Sequence, residues 1–203
     1  MDDASNNNVL RESILIFSKF LKSPRTVGAV SPSSRALAQR MVSELPRDRP
    51  VNVVELGPGT GAFTGAIVDS LVPGARFLAI DIEPDFVQKI RQRWPSVECV
   101  CASAEQLEAL VRNRRLGPVD HIISGLPFAS LPMAMTRQIL EGIERTLRPG
   151  GTFTTFQYVH GYWMPHGRLF RQQMSEIMGA LPRRRLVLRN FPPTYILTWT
   201  RHA

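Results

Sequence analysis

Apolar positions along the chain change period part-way through. Between residues 9 and 22, VLRESILIFSKFLK, the side chains of Leu10, Ile14, Phe17 and Leu21 recur at i, i+4, i+7 and i+11, which is one stripe of a helix. Arg11, Lys19 and Lys22 lie beside or opposite that stripe, so the segment predicts an N-terminal amphipathic helix. Pro24 stops it, and a loop with Gly28 and Pro32 leads into a second helix over about 34–45, with Ser33 or Ser34 as N-cap. From residue 51 short apolar runs alternate with helical stretches. VNVVEL, ARFLAID, VECVCA, VDHIIS and GTFTTFQYV read as five strands, with helices near 62–71, 84–93, 104–112 and 133–147 between them. Such alternation predicts a parallel sheet with helices on both faces. RRRLVLRN and FPPTYILTWTR add two strands joined through Pro192 and Pro193, an antiparallel C-terminal hairpin at the sheet edge. The expectation is a seven-stranded, mostly parallel α/β sheet over 47–203, with 1–46 as a helical extension for membrane or substrate contact.

At 203 residues the chain can bury one substantial core but is short for two catalytic domains. No run approaches the roughly 18 uninterrupted apolar residues of a membrane-spanning helix, and Met1-Asp2-Asp3 lacks the basic start of a secretory signal. The expected place is the cytoplasm, peripheral on the inner face of a membrane. Cys99 and Cys101 alternate with valine in a strand, so both are expected in the core and neither in a disulfide or metal site. A formal net charge of +8 favours polyanionic partners, either nucleic acid or an anionic lipid surface, and charge alone does not choose between them.

The strongest chemical signal is Glu55-Leu56-Gly57-Pro58-Gly59-Thr60-Gly61, directly after a strand and opening a helix. Glycines there let backbone approach a ligand where a Cβ would intrude. Asp81 ends the next strand, where a carboxylate can accept hydrogen bonds from ribose hydroxyls. By itself a Gly-x-Gly-x-Gly could equally mark a dinucleotide site or a tight turn. Joined to the acidic residue before it, to Asp81-Ile82-Glu83-Pro84 and to Pro149-Gly150-Gly151 before the fifth strand, it resembles the Rossmann-like class I methyltransferases that use S-adenosylmethionine. The resemblance implies that Gly57, Gly59 and Gly61 line the methionine and ribose of that cofactor, with Glu55 near its ammonium group. It further implies Asp81 on the ribose, Ile82 on the adenine, Ser103 and Ala104 at the adenine edge, and no metal. Many relatives carry Asp where Ser103 stands.

Ligands of such folds bind at the carboxyl ends of the strands, so the loop Ser124-Gly125-Leu126-Pro127-Phe128 after strand four should face the transferable methyl. Ser124 and Gly125 are expected beside the cofactor, and Leu126, Pro127 and Phe128 beside the substrate. Adenine-N6 methyltransferases carry Asn-x-Pro-aromatic at this place, and Gly125 stands at the Asn position with no amide to hold an exocyclic amine. The Ser-Gly-Leu-Pro loop, FLKSPRTVGAVSPSSRALA and RNFPPTYIL together look like the small bacterial phospholipid N-methyltransferases, which act on phosphatidylethanolamine, and the related ornithine lipid N-methyltransferases. This implies methylation of a lipid amine, with anionic membrane lipid as partner and nucleic acid disfavoured. Adenine-N6 methylation of RNA is the alternative activity, and a non-catalytic module binding lipid or RNA is the alternative class.

Other candidates follow from position. Tyr158 and His160, after strand five, are placed to bind a head group or accept its proton. Arg25 with Ser31, Ser33 and Ser34 could hold a phosphate, and Arg183-Arg184-Arg185 is either a solvated face or a lipid contact. Buried Leu, Ile or Phe side chains are each worth roughly 1.5–3 kcal/mol and a nearby Lys or Arg about 1 kcal/mol on an anionic surface, so helix 9–22 could hold the chain on lipid reversibly. The same stripe could equally pack on the domain.

Overall fold

A computed structural model of the chain describes residues 32–188, 190 and 192–202. The amphipathic segment 9–22, Arg25 and Ser31 lie outside those residues. Within them the chain alternates strand and helix as its apolar runs require. Helix α1 (Pro32–Met41) precedes β1 (Asn52–Leu56), α2 (Thr64–Val68), β2 (Arg76–Asp81), α3 (Pro84–Arg93) and β3 (Glu98–Cys101). A 3-10 turn (Ala104–Gln106) then runs into α4 (Leu107–Asn113), followed by β4 (Val119–Ser124), α5 (Met133–Thr146) and β5 (Leu147–Tyr158). The chain closes with α6 (Val159–Trp163), α7 (Pro165–Met178), β6 (Arg183–Val187) and β7 (Thr194–Thr200).

The seven strands form one sheet in the order β3-β2-β1-β4-β5-β7-β6. Strands β1 to β5 pair in parallel, and β7 is antiparallel to both β5 and β6. β7 therefore lies inside the sheet and β6 forms its edge, with Tyr158, Thr194 and Val187 in one register row. The strand order reverses between β1 and β4, which opens a crevice at their carboxyl ends.

Helices cover both faces. On one, Leu107 and Val111 of α4, Ile139, Leu140 and Ile143 of α5, and Phe170, Met174 and Met178 of α7 pack on Leu56, Ile80, Ile122, Phe153 and Trp199. On the other, Leu37, Ala38, Met41, Val42 and Leu45 pack with Ile67 on Val53, Ile123, Ile196 and Val187. α3 covers the β2–β3 end of that side through Val87 and Ile90. Residues 37–45 thus share the core of the sheet domain.

Several expectations are corrected. Cys99 is buried but Cys101, the last residue of edge strand β3, is exposed, because only β2 flanks that strand. α1 begins at Pro32 and ends at Met41, and residues 42–45 form turns that still bury Val42 and Leu45. The helix expected over 62–71 is shortened to Thr64–Val68. Strand five begins at Leu147, and Arg148–Gly151 form an irregularity where the register jumps from Val119↔Leu147 to His121↔Thr152.

Candidate active site

The glycine loop leaves β1 in a conformation that side-chain-bearing residues rarely adopt, with φ of 69°, 54° and 85° at Gly57, Gly59 and Gly61. The Gly57 N–H donates to the Ile80 carbonyl at 2.9 Å, which ties the loop to β2. A Cβ at Gly57 would stand 2.7 Å from Leu126 Cδ2, and one at Gly61 2.4 Å from the Trp94 ring. Gly61 therefore admits the indole at the end of α3 and is not in the cleft wall, unlike Gly57.

Asp81, at the end of β2, is buried and accepts two backbone bonds, from Gly59 N–H at 2.9 Å and from Glu83 N–H at 3.0 Å. Burial pushes its carboxyl up, against those two bonds. Glu55 is fully buried, with Oε2 accepting the Thr64 hydroxyl at 2.7 Å and Oε1 without a partner among the described residues. Burial drives its pKa up to about 8, with the Thr64 bond opposing and Asp81 adding to the rise. An orphaned, fully buried carboxyl oxygen in the strand that feeds the glycine loop leaves an acceptor open to a cationic or hydrogen-bonding donor.

Beside the loop lies a largely apolar cleft. One wall is Gly57, Asp81, Ile82 and Glu83, and Ala102, Ser103 and Ala104 form the next. Phe86 and the α5 face of Met135 and Ile139 close it, with Leu126 and Pro127 at the loop after β4. Ser103 caps the 3-10 turn, its hydroxyl accepting Glu105 N–H and donating to the Glu105 carboxylate at 2.8 Å. Acidic and hydroxyl groups at one end and a flat apolar slot at the other suit a nucleoside.

The loop after β4 divides in its roles. Ser124 is fully buried, and its Oγ accepts the Leu126 N–H at 3.2 Å. The Gly125 N–H donates to the Leu56 carbonyl at 2.8 Å, and a Cβ at Gly125 would stand 2.6 Å from the Gly57 carbonyl oxygen. Phe128 is outside the cleft wall: it is buried, stacks on Phe170 at 4.5 Å and meets Phe153 edge-on. Tyr158 caps α6 at the carboxyl end of β5, with His160 stacked on it at 5.8 Å and 6°. Burial pushes the Tyr158 phenol upward, so it stays protonated at neutral pH, whereas His160 is exposed.

Residues of the site that the sequence reading passed over include Thr64, which anchors Glu55, and the Leu131, Met135, Ile139 stripe. Their i, i+4, i+8 spacing was the available signal.

A methyltransferase domain family matches residues 53–151. The crystal structure of Burkholderia thailandensis 1,6-didemethyltoxoflavin-N1-methyltransferase, with bound S-adenosylhomocysteine, superposes with a TM-score of 0.68 over 98% of this chain and 90% of that one, at 20% identity. The N-methyltransferase NodS from Bradyrhizobium japonicum WM9, also with S-adenosylhomocysteine, gives 0.66 over 98% and 99%, at 15% identity. Residues 53–151 thus match a methyltransferase domain, and the chain has the fold of the class I S-adenosylmethionine-dependent methyltransferases. Within that class it is related to the ornithine lipid N-methyltransferase of Singulisphaera acidiphila, 28% identical over 187 residues that span 91% of this chain and 93% of that protein.

Proposed function

We propose that this methyltransferase transfers methyl groups to the amine head group of a membrane lipid, either ornithine lipid or phosphatidylethanolamine. The observation that carries the reading is the relation to an ornithine lipid N-methyltransferase over nearly the full length of both chains. Gly125 adds a physical argument against adenine as acceptor. An Asn there would drive its Cβ into the Gly57 carbonyl, so the amide that grips an exocyclic amine has no room beside this glycine loop.

When bound, S-adenosylmethionine supplies an electrophilic methyl on sulfur. The residues that would hold it are Asp81 and Glu83 for the ribose, Ile82, Ser103 and Ala104 for the adenine, and Glu55 for the ammonium. The chain's own work is alignment and proton management. Leu126 and Pro127 wall the acceptor side and exclude water, and holding an amine in near-attack geometry supplies about 7–11 kcal/mol of the barrier. Only a neutral amine has the lone pair for displacement, so a lipid ammonium must first lose a proton. His160 is the acceptor in this reading, since Tyr158 is held in its neutral form and its ring stacks on the imidazole.

The test is incubation of the full chain with methyl-labelled S-adenosylmethionine and, separately, ornithine lipid, phosphatidylethanolamine and total RNA. Label in either lipid supports the reading and separates the two head groups. Label in RNA with neither lipid labelled overturns it.

A further inference from the structure

Among the described residues, large exposed apolar side chains are not scattered. Met133, Trp163, Met164, Leu186 and Leu188 are 46–72% exposed. β6 runs parallel to β5, because both are antiparallel to β7, so the end of β6 lies at the same end of the sheet as Tyr158. Trp163 and Met164 end the short helix α6 that follows β5, and Met133 opens α5 after the loop of β4. All five therefore stand at the carboxyl end of the sheet, where the cofactor cleft opens. Leu181, before β6, is the exception at the opposite end.

On the α7 face, aromatic rings link Trp163 to the β7 residue opposite Leu186. Leu186 and Arg184 sit opposite Tyr195 and Leu197 of β7 and share their side of the sheet. The Tyr195 ring lies 4.6 Å from that of Tyr162, which lies 5.3 Å from Trp163. Cations border the strip in an unusual way. Arg184 lies 5.2 Å from the Tyr195 ring and donates to the Tyr162 hydroxyl at 3.0 Å, and Arg168 lies 5.8 Å from the Trp163 ring.

Among the described residues neither arginine pairs with a carboxylate, whereas Arg148 and Arg114, at the other end of the sheet, each do. The carboxylates at the cleft end, Glu83, Asp85 and Glu105, stand on the β2–β3 side. An apolar strip led by a tryptophan, edged by arginines and clear of acids, complements an anionic bilayer, where aromatic rings rest at headgroup level.

We propose that this rim is the face laid on an anionic lipid bilayer: Trp163, Met164, Leu186 and Leu188 enter the headgroup layer, and Arg168 and Arg184 meet lipid phosphates. The cleft mouth then opens toward the membrane, which deepens, and for its purpose rests on, the proposed lipid substrate. All the residues named lie outside segment 9–22.

The test is co-sedimentation of the full chain with vesicles of phosphatidylglycerol and phosphatidylcholine, and of phosphatidylcholine alone. The double variant Trp163→Ser/Leu188→Ser should lower partitioning onto anionic vesicles about tenfold, and Arg168→Gln should lower it only there, an effect that added salt mimics. Leu181→Ser, equally apolar but at the far end, should bind as wild type. S-adenosylmethionine affinity and methylation of detergent-dispersed lipid should be unchanged in all of them.

Wild-type vesicle binding by the double variant overturns the proposal, as does loss of binding in Phe17→Glu alone, which would assign docking to residues 9–22. A wild-type dimer that the double variant splits into monomers overturns it too, by giving the strip to a second copy. If the vesicle pattern holds while no dispersed lipid is methylated, the surface stands and the substrate reading falls.

Discussion

At the scale of single residues, two features of the glycine loop carry consequences that can be measured. The first is Gly125. Because a Cβ there meets a backbone carbonyl oxygen rather than a flexible side chain, Gly125→Ala must push the β1 and β4 loops apart. S-adenosylmethionine affinity should fall by at least about tenfold, equivalent to about 1.4 kcal/mol, and isothermal titration would read it. An affinity equal to wild type would mean that the loops separate freely. The second is Glu55. Its pKa near 8 in the free protein means that the carboxyl is mostly protonated at pH 7, while an ammonium partner requires the carboxylate. Cofactor binding should therefore release close to one proton at pH 7, seen as a dependence of the titration enthalpy on buffer ionisation heat. Glu55→Gln keeps the size and the Thr64 contact, so it should abolish that release and weaken binding about 10–100-fold, the value of a hydrogen bond to a charged group. Equal release in both proteins would take Glu55 out of the cofactor site.

At the scale of elements, the legible parts of the sequence were those whose local pattern and tertiary setting agree. The parallel strands and α3, α4 and α5 followed from short β-branched runs alternating with helical spacing. Gly57 and Asp81 were legible in the cleft because loop chemistry is local. α7 was passed over even though Pro165 stands at its first turn, Gly179 closes it in the left-handed region at φ 66°, and Phe170, Met174 and Met178 recur at four-residue steps. Its Arg and Gln content hid a stripe that is nevertheless fully in the core.

The surroundings of Phe128 depend on distant chain instead. Its place in the motif pointed to substrate, but which way a loop aromatic turns is decided by what awaits it, and here Phe170 and Phe153 do. Gly61, expected at the cofactor, also has to admit the ring of Trp94, more than thirty residues on. Neither partner can be read from nearby sequence. If α7 is anchored as described, Phe170→Ala should lower the free energy of unfolding by about 3–5 kcal/mol. It removes a ring packed among Phe128, Phe153 and Trp199. Urea denaturation measures the loss, and a change under 1 kcal/mol would show that the aromatic cluster does not hold the helix.

For the whole molecule, two buried groups on opposite arms of the pH scale set the stability profile. His121 on β4 is buried, with Nδ1 2.7 Å from the Thr152 hydroxyl and Nε2 unpartnered among the described residues, and burial lowers its pKa from 6.5 to about 4. The unfolded chain therefore binds a proton that the folded chain refuses. The stability this group contributes is whole above pH 6.5 and is lost as pH falls toward 4, by about 3 kcal/mol. Glu55 acts in reverse: with its pKa raised from 4.5 to about 8, the folded chain keeps a proton that the unfolded chain releases. That contribution is whole below 4.5 and is lost as pH rises to 8.

Between pH 4.5 and 6.5 the two slopes oppose and nearly cancel. From 6.5 to 8 Glu55 acts alone, so the cofactor-free protein should lose about 2 kcal/mol over that interval. Urea unfolding at pH 5, 6.5 and 8 should show a plateau and then a fall. Glu55→Gln should remove most of the fall, and His121→Gln should turn the plateau into a slope by leaving Glu55 unopposed. Saturating S-adenosylmethionine should flatten the alkaline side in the wild type, since an ammonium beside Glu55 stabilises the carboxylate that burial disfavours. A cofactor-free stability that climbs from pH 6.5 to 8 would mean that Glu55 is ionised in the free protein and that its orphaned oxygen already has a partner.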